Sequence, residues 1–231
     1  MSSTTAMERI SHRARRNWLL SYGDIITLLI TFFIMLIIVR AGNVSKIHSW
    51  VNQKISESGR ELEQVIRDEK LSGIKVIRDT KGIHLILQAE TMFDQGSAEP
   101  KADLRSFLNV LGSSIRNISI FKLETDPKNK FFLRELESAG YSWNTEVRIE
   151  GHTDNVPLLP GSDFRDNWEL SASRAQSILK ALQETSELPE SRFAVAGYGE
   201  YHPLTANTSA SGRAQNRRVE IIITASLVKV Q

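Results

Sequence analysis

The sequence predicts an α/β domain that follows a single membrane-spanning helix, and three observations lead to this prediction. Residues 18–39 form one apolar run that contains a single charged side chain. From residue 72 onward, short β-type runs alternate with amphipathic helical patterns, after two runs close enough to pair as a hairpin. The apolar content of 41% and the charged content of 24% are ordinary for folded proteins. We therefore expect a sandwich of one mixed sheet with its helices on one face.

Composition excludes several classes of function. The 231 residues suffice for one medium domain with additional elements, or for two small domains. A net charge of +2, without a basic block beyond the N-terminus, makes nucleic acid an unexpected partner. The chain has no cysteine for disulfides, iron–sulfur clusters or thiolate zinc sites, and its five histidines lack metal-ligand spacing. It also has no phosphate-binding glycine loop, so ATP is not expected to be its energy source. We expect no bound metal or cofactor.

Residues 18–40 are predicted to cross the membrane once. About 20 helical residues span a bilayer core, and this run is longer than the apolar part of a signal peptide. The sequence Val39-Arg40-Ala41 is also a poor cleavage site. A cluster of arginines precedes the run, at Arg9, Arg13, Arg15 and Arg16. The positive-inside rule then assigns residues 1–17 to the cytoplasm as a basic tail, and the chain after about residue 41 to the outside.

Asp24 lies inside this apolar run, about two turns from its cytoplasmic end. An ionised carboxylate in hydrocarbon costs at least about 3 kcal/mol, so such a residue normally faces a partner helix or a water-filled path. We therefore predict that Asp24 binds an ion; pairing with the preceding arginines is the alternative, although an aspartate side chain is short. The hydroxyls of Tyr22, Thr27 and Thr31 lie near the same helical stripe and are expected to form a polar seam. Gly23 permits close approach of another helix.

Residues 41–71 are predicted to form an amphipathic helix with an interruption near Ser58-Gly59. Two interpretations stay open for this segment: a solvated linker, or a helix that lies on a membrane or a partner channel. The apolar positions recur at helical spacings, at Val44, Ile47, Val51, Ile55, Leu62, Val65 and Ile66.

The domain that begins near residue 72 is expected to open with a hairpin whose turn is Asp79-Thr80-Lys81-Gly82. Residues 118–145 lie where a short link would suffice, so we expect an insertion there, with a helix at Lys130–Ala139. The other expected elements are strands at Ile74–Arg78, Ile83–Gln88, Glu146–Glu150, Arg192–Ala196 and Val219–Thr224, and helices near Lys101–Arg116 and Trp168–Leu182.

The most informative motif is Gly151-His152-Thr153-Asp154, a strand that ends in a polar loop before a helix carrying Arg174. A strand-end carboxylate and a helix guanidinium can converge at one edge of a sheet. Together they suit a ligand that carries both an ammonium and a carboxylate group. A plain salt bridge between Asp154 and Arg174 is the competing interpretation. No serine in a nucleophile elbow accompanies His152, so bond cleavage is not expected.

The motifs GHTD, NWELS with Arg174-Ala175, GYGE with Pro203, and NRRVEI resemble the OmpA-like peptidoglycan-binding domain, in the form found in MotB-type stator proteins. The resemblance covers about residues 72–225 and implies that residues 72–231 form this domain. It also implies that Asp154 meets the ammonium, and Arg174 the carboxylate, of the diamino acid in the peptidoglycan stem peptide. At matching motif positions, Asn167 and Arg217 would shape or line the pocket, and Leu170 would pack beneath it.

The membrane segment resembles the MotB/PomB anchor through Trp18, Ser21-Tyr22-Gly23-Asp24, Thr27 and Phe32-Phe33, with Gly23 in place of the usual alanine. In that family the aspartate binds the proton or sodium ion that drives a rotary motor. The resemblance implies a homodimer inside a ring of a multi-pass MotA-like partner, with no cofactor besides the translocated ion. Residues 41–71 correspond in position to the plug of unassembled stators.

The expected function is a peptidoglycan-anchored stator subunit of an ion-driven motor in the bacterial inner membrane, with its C-terminal domain in the periplasm. The insertion at 118–145 and the short spacer differ from the common flagellar form. They leave open a stator-like subunit of another machine, such as a ZorB-type subunit of an anti-phage (Zorya-type) system. A passive anchor from inner membrane to wall is a further alternative. The two-component proton channels that energise outer-membrane uptake share the intramembrane aspartate but lack the wall-binding motif.

Overall fold

A computed structural model describes residues 3–68, 73–79 and 82–230. The chain divides into two compact units, Met1–Trp50 and Val51–Gln231. One long helix, α1 (Ser3–Asp68), contributes residues to both units.

The first unit contains the predicted membrane segment. Within the described residues, one helical stretch is long and apolar enough to cross a membrane. It is Trp18–Ile38, which has 21 residues and a mean hydropathy of 2.1. Its large apolar side chains are exposed on all sides of the helix. This distribution is typical of a helix that is surrounded by lipid or by partner helices.

The second unit contains a five-stranded mixed sheet. In the described residues its order is β1-β2-β5-β3-β4, where β3 and β4 are parallel and the other neighbours are antiparallel. The predicted hairpin is confirmed by the pairing of β1 with β2, although Thr80 and Lys81 of its turn lie outside the described residues. The strands are β1 (Ile74–Asp79), β2 (Gly82–Gln88), β3 (Tyr141–His152), β4 (Phe193–Gly197) and β5 (Arg218–Lys229).

The helices of this unit are α2 (Ala89–Met92), α3 (Ala102–Asn117), α4 (Ser119–Thr125), α5 (Lys130–Ser138), α6 (Asn167–Ser186) and α7 (Ala210–Asn216). Short 3₁₀ turns at Pro127–Asn129 and Glu190–Arg192 link some of them. Helix α6 begins where Asp166 accepts a hydrogen bond from the Glu169 N–H at 2.8 Å, while the Glu169 carboxylate accepts one from the Arg165 N–H. This reciprocal arrangement resembles a capping box and determines where α6 starts.

The core lies between one face of the sheet and helices α3 and α6, which confirms the predicted layering. Helix α6 packs against β3, β4 and α3. Every second residue of the central strands points into this layer and is fully buried, as the two-residue period of a strand requires. These strand residues are Ile83, Leu85, Leu87, Val147, Ile149, Val219, Ile221 and Ile223, and they are covered by Leu108, Leu111, Ile115, Ile178 and Leu182 from the helices.

The predicted interruption of the first helix at Ser58-Gly59 is wrong, since α1 continues unbroken to Asp68. Ser58 is fully buried, and its hydroxyl accepts a hydrogen bond from the Ile120 N–H at 3.0 Å. A Cβ on Gly59 would lie 2.4 Å from the Arg78 side chain, so the glycine permits close approach. Ser58 and Gly59 therefore allow α1 to pack closely against its neighbours and do not interrupt the helix.

Residues 51–68 of α1 are part of the domain and not a solvated linker. Their apolar face is buried, with Leu62 fully inaccessible. Glu61 accepts hydrogen bonds from the N–H and the hydroxyl of Ser119, at 2.9 and 2.7 Å, and so caps the start of α4. The side chains of Val44 and Ile47, which belong to the same predicted stripe, lie outside those that are described.

The insertion is built from α4, the first 3₁₀ turn and α5, and it ends earlier than expected because β3 begins at Tyr141. The predicted helix at Lys130–Ala139 is confirmed as α5, whereas α4 was not predicted. The Trp143 indole donates to the Ile120 carbonyl oxygen at 3.3 Å and ties α4 to the start of β3. The insertion is thus an ordered extension of the core.

Gly151→Ala should lower the free energy of unfolding by roughly 3 kcal/mol, because the new methyl group collides with backbone. A Cβ at this position would lie 2.0 Å from the Ser171 carbonyl oxygen, where α6 crosses β3. Gly161→Ala is the matched control: its Cβ meets no atom within 4 Å, and only its positive φ of 87° is unfavourable, by about 1 kcal/mol. Urea unfolding of the full chain in mild detergent measures the free energy of unfolding of both variants. An equal decrease in the two variants would contradict the role of close packing at Gly151.

Candidate ligand-binding site

A cleft of about 900 Å³ opens at the end of β3, beside the start of α6. It is lined by all four residues that the motifs predicted for one pocket: Asp154, Asn167, Arg174 and Arg217. Asp154 follows β3, Asn167 and Arg174 lie on α6, and Arg217 lies between α7 and β5. The fold therefore joins three separate chain segments in one site, the Asp154–Arg174 cleft.

Arg174 is a buried cation without a carboxylate partner among the described residues. The residue is only 6% exposed, and its Nε donates to the Ser97 carbonyl oxygen at 2.8 Å. Its Nη2 donates to the Asp94 carbonyl oxygen at 3.3 Å, and the guanidinium carbon lies 5.1 Å from the centre of the Phe93 ring. Burial and, secondarily, the nearby Arg217 lower the pKa of Arg174 to about 10. The side chain is thus still charged at neutral pH and suited to accept an anionic ligand group.

Asp154 is buried as well, but its partner is Arg217 and not Arg174. One carboxylate oxygen accepts the Val156 N–H at 3.1 Å, and the other is paired with Nη1 of Arg217. Nη2 of Arg217 is paired with Glu90. Burial alone would lower the pKa of Arg217, but its hydrogen bonds to Asp154 and Glu90 outweigh burial and raise it. The simple Asp154–Arg174 salt bridge is therefore not formed.

The charged groups of the cleft are not paired one to one. Asp154 and Glu90 share the single guanidinium of Arg217. Arg174 donates to carbonyl oxygens and not to a carboxylate. A ligand that carries both an ammonium and a carboxylate would offer a counter-charge to Asp154 and to Arg174, and buried charges are most stable when they are paired.

Asn167 holds the loops of the cleft in place. Its side-chain amide lies within hydrogen-bond distance of the carbonyl oxygens of Asp154 and Val156, at 3.3 and 3.0 Å. The same amide nitrogen is 3.2 Å from a carboxylate oxygen of Glu200. Leu170, one turn further along α6, is buried and forms part of the floor. These contacts give Asn167 a positioning role in the loops of the cleft.

The threonine hydroxyls predicted to line a polar seam near Asp24 bond to the backbone of their own helix. The Thr27 hydroxyl donates to the Asp24 carbonyl oxygen at 2.8 Å. The Thr31 hydroxyl donates to the carbonyl oxygens of Thr27 and Leu28. Both hydroxyls are therefore engaged with the backbone and not with the carboxylate, which is exposed on the helix surface. Tyr22 stacks on Trp18, with ring centres 5.4 Å apart.

The N-terminal and the C-terminal parts of the chain each resemble a known protein family. Residues 122–217 match the OmpA family, and residues 6–53 match the family described as membrane MotB of the proton-channel complex MotA/MotB. Motility protein B of Bacillus subtilis is 32% identical over 164 residues, which cover 71% of this chain and 53% of that relative. The chain is a MotB-type protein with an OmpA-like domain.

Solved structures share the fold of this MotB-type chain. A structure described as a MotB-like protein from Desulfovibrio vulgaris has a TM-score of 0.60 and 24% identity, covering 77% of this chain and 95% of that one. The cell wall anchor of the T6SS from Pseudomonas aeruginosa has a TM-score of 0.52 and 25% identity, covering 71% of this chain and 96% of that one. The mixed sheet with helices on one face is therefore an architecture that MotB-type and wall-anchoring proteins have in common.

Sequence reasoning missed the residues that hold the two arginines of this MotB-type chain. Glu90, Phe93, Asp94 and Ser97 all lie in or near the loop between α2 and α3. The predicted site motifs begin more than fifty residues later, and no spacing rule links them to this loop. Its run Asp94-Gln95-Gly96 is a turn signal, but such a signal gives no indication of what the turn contacts.

His152 belongs to the opposite, polar face of the sheet and not to the cleft. The residue is 3% exposed, and its ring stacks on Tyr198 with centres 5.3 Å apart. Burial and, secondarily, Arg218 lower the pKa of His152 to about 4, so the imidazole is neutral at physiological pH. Within the GHTD motif, His152 therefore packs in the sheet, whereas Asp154 faces the ligand cleft.

Proposed function

We propose that this MotB-type chain is the peptidoglycan-anchored stator subunit of an ion-driven rotary motor in the bacterial inner membrane. The observation that supports this proposal best is the buried guanidinium of Arg174, which has no carboxylate partner among the described residues, in a cleft that also contains the buried carboxylate of Asp154. The same chain bears an intramembrane carboxylate, Asp24, so one molecule has both an ion site and a wall site.

The ion site requires partners. One helix cannot shield Asp24 from lipid or form a conduction path. Two copies of this chain inside a ring of a multi-pass, MotA-like partner would provide both. The family matched by residues 6–53 is described as membrane MotB of the proton-channel complex MotA/MotB, which supports a MotA-like partner. Binding of a proton or a sodium ion neutralises Asp24, and each charge that crosses supplies about 2.3 kcal/mol per 100 mV.

The wall site holds the complex still while ions pass. In the Asp154–Arg174 cleft, Arg174 receives the carboxylate of the stem-peptide diamino acid and Asp154 its ammonium. Arg217 keeps Asp154 oriented, and Asn167 fixes the loops around it. With residues 1–17 in the cytoplasm, this domain faces the periplasm, where the wall is a stationary support for torque. The same two sites would serve a flagellar motor or another stator-type motor.

Ion flux through membranes that contain this chain and its multi-pass partner tests the proposal. Residues 44–50 are deleted to open the channel, and the deletion ends at residue 50 because Val51, Ile55 and Leu62 are buried in the domain. Flux is expected only with both chains present, and comparing proton with sodium gradients identifies the ion. Absence of flux under every condition, with wall binding intact, would overturn the motor proposal in favour of a passive anchor.

A further inference from the structure

The face of the sheet that points away from α3 and α6 carries a buried polar cluster, formed by His152, Arg218 and Glu220. These residues are 3%, 3% and 8% exposed. The Arg218 Nε donates to a Glu220 carboxylate oxygen at 2.6 Å, and the Nη groups donate to the carbonyl oxygens of Asn216 and His202, both at 3.3 Å. His152 Nε2 lies 3.9 Å from the Glu220 carboxylate. The His152–Arg218 cluster thus holds the start of β5 against the end of β3.

The cluster lies on the other side of the sheet from the Asp154–Arg174 cleft, at the same strand ends. His152 and Arg218 pair across β3 and β5 and are the last residue pair of that ladder. Asp154 lies two residues after His152, Arg217 lies one residue before Arg218, and these two side chains are paired in the cleft. The strand ends are therefore joined by one residue pair on each face, and the spacing of either pair depends on the other.

His152 is held in this cluster by packing. Both of its ring nitrogens are buried, and neither has a hydrogen-bond partner among the described residues. The ring stacks on Tyr198, with centres 5.3 Å apart, and Tyr198 packs on His202 with centres 4.4 Å apart. The Tyr198 N–H donates to the Gly151 carbonyl oxygen at 2.9 Å, which fixes this stack to β3. What the position uses is therefore a flat ring and not a hydrogen-bonding imidazole.

A proton on His152 would be unfavourable here. Burial and, secondarily, the neighbouring Arg218 lower the pKa of His152 to about 4, although Glu220 favours the charged form. A charged ring would be a second buried cation beside Arg218 and would push apart the last residue pair of the ladder. The other titratable groups around the cluster that the structure describes come from β2, β3 and the loop after β4, and are His84, Glu150, Tyr198 and His202.

We infer that His152 is a positioning residue of the Asp154–Arg174 cleft. Its neutral ring keeps Arg218 at the last position of the β3–β5 ladder, and this pair keeps Asp154 and Arg217 at the spacing that the ligand requires. The inference rests on the proposed wall-binding function and adds a residue that does not touch the ligand. Because only the neutral ring maintains this spacing, protonation of His152 weakens ligand binding.

Calorimetry on the full chain in mild detergent tests the positioning role, with a bare tetrapeptide that contains meso-diaminopimelate as the probe. At neutral pH, His152→Ala should weaken binding about tenfold, because the strand ends lose the ring that spaces them. His152→Phe should restore most of the affinity, since a phenyl ring stacks on Tyr198 and loses no hydrogen bond within the domain. His202→Ala is the matched control: it removes an exposed imidazole that also packs on Tyr198, and it should bind like the wild type.

The pH profile is a readout that a merely structural role would not change. Half of the wild-type rings are protonated at pH 4, so the wild type should bind the tetrapeptide about twofold more weakly than His152→Phe at that pH. The difference should rise to about fourfold half a pH unit lower. Carboxylates also take up protons in acid, but they are common to both chains and cancel in the comparison. Circular dichroism shows that both chains are folded at each pH.

The outcomes separate this inference from the wall-binding function. Full affinity in His152→Ala, no rescue by His152→Phe, or equal pH profiles for the wild type and His152→Phe would overturn the positioning role, while peptide binding still supports the wall site. If His152→Ala does not fold, the pH profiles of the wild type and His152→Phe decide. Failure of the wild type to bind the bare peptide would instead refute the wall-binding function.

Discussion

Asp24→Asn should abolish ion flux through membranes that contain this chain and its multi-pass partner, while the two proteins still assemble. Asparagine has the same shape as aspartate but has no charge for a passing ion to neutralise. Because the substitution also removes the several kcal/mol cost of an intramembrane carboxylate, assembly should be maintained or improved. Flux is measured with a proton- or sodium-sensitive dye, and assembly by co-purification.

Gly23→Ala is the matched control for the ion site. It introduces the residue usual in the MotB/PomB anchor, and its Cβ meets no atom within 4 Å in this helix. We expect flux to be retained in this variant. Strong flux in Asp24→Asn would contradict the motor mechanism, whereas a passive anchor would tolerate either substitution without a change in wall binding.

Arg174→Ala should weaken the binding of the full chain to purified wall sacculi by at least about a hundredfold. The side chain is buried, and its charge is compensated by carbonyl oxygens and the Phe93 ring rather than by a carboxylate. A ligand carboxylate would therefore be its first full counter-charge. Pelleting with sacculi, with bare tetrapeptide as competitor, measures the effect.

Two further variants show whether Arg174 binds the ligand or only holds the Asp94–Ser97 turn in place. Arg148→Ala removes a half-exposed arginine that pairs with Glu146 on the open face of the sheet, and it should leave pelleting unchanged. Arg174→Lys keeps the charge but loses the planar fork, so it should bind sacculi weakly while remaining folded. Unchanged pelleting in Arg174→Ala would mean that the guanidinium only holds the Asp94–Ser97 turn.

Element positions were predictable from the sequence where the pattern was long, and not where it was short. The centres of all five strands and of α3, α5 and α6 follow from periodicity and turn residues. Helices α4 and α7 have seven residues each, fewer than periodicity can identify. Strand β3 starts five residues before the expected Glu146, because its polar beginning continues the pairing of Tyr141 with Lys229 on β5.

The sequence by itself determined the apolar run long enough to span a membrane, the place of Asp24 within it and the α/β layering. These are local properties, because periodicity and composition are read within a few residues of each other. The four residues that share one cleft were instead predicted from the resemblance of several separate motifs to one family. Only the tertiary structure decided that Asp154 pairs with Arg217, and that Arg174 is held by carbonyl oxygens 77 and 80 residues away. It also decided that Ser58 joins α1 to α4. Such contacts depend on how helices and loops pack over the sheet, and local sequence spacing carries no information about that packing.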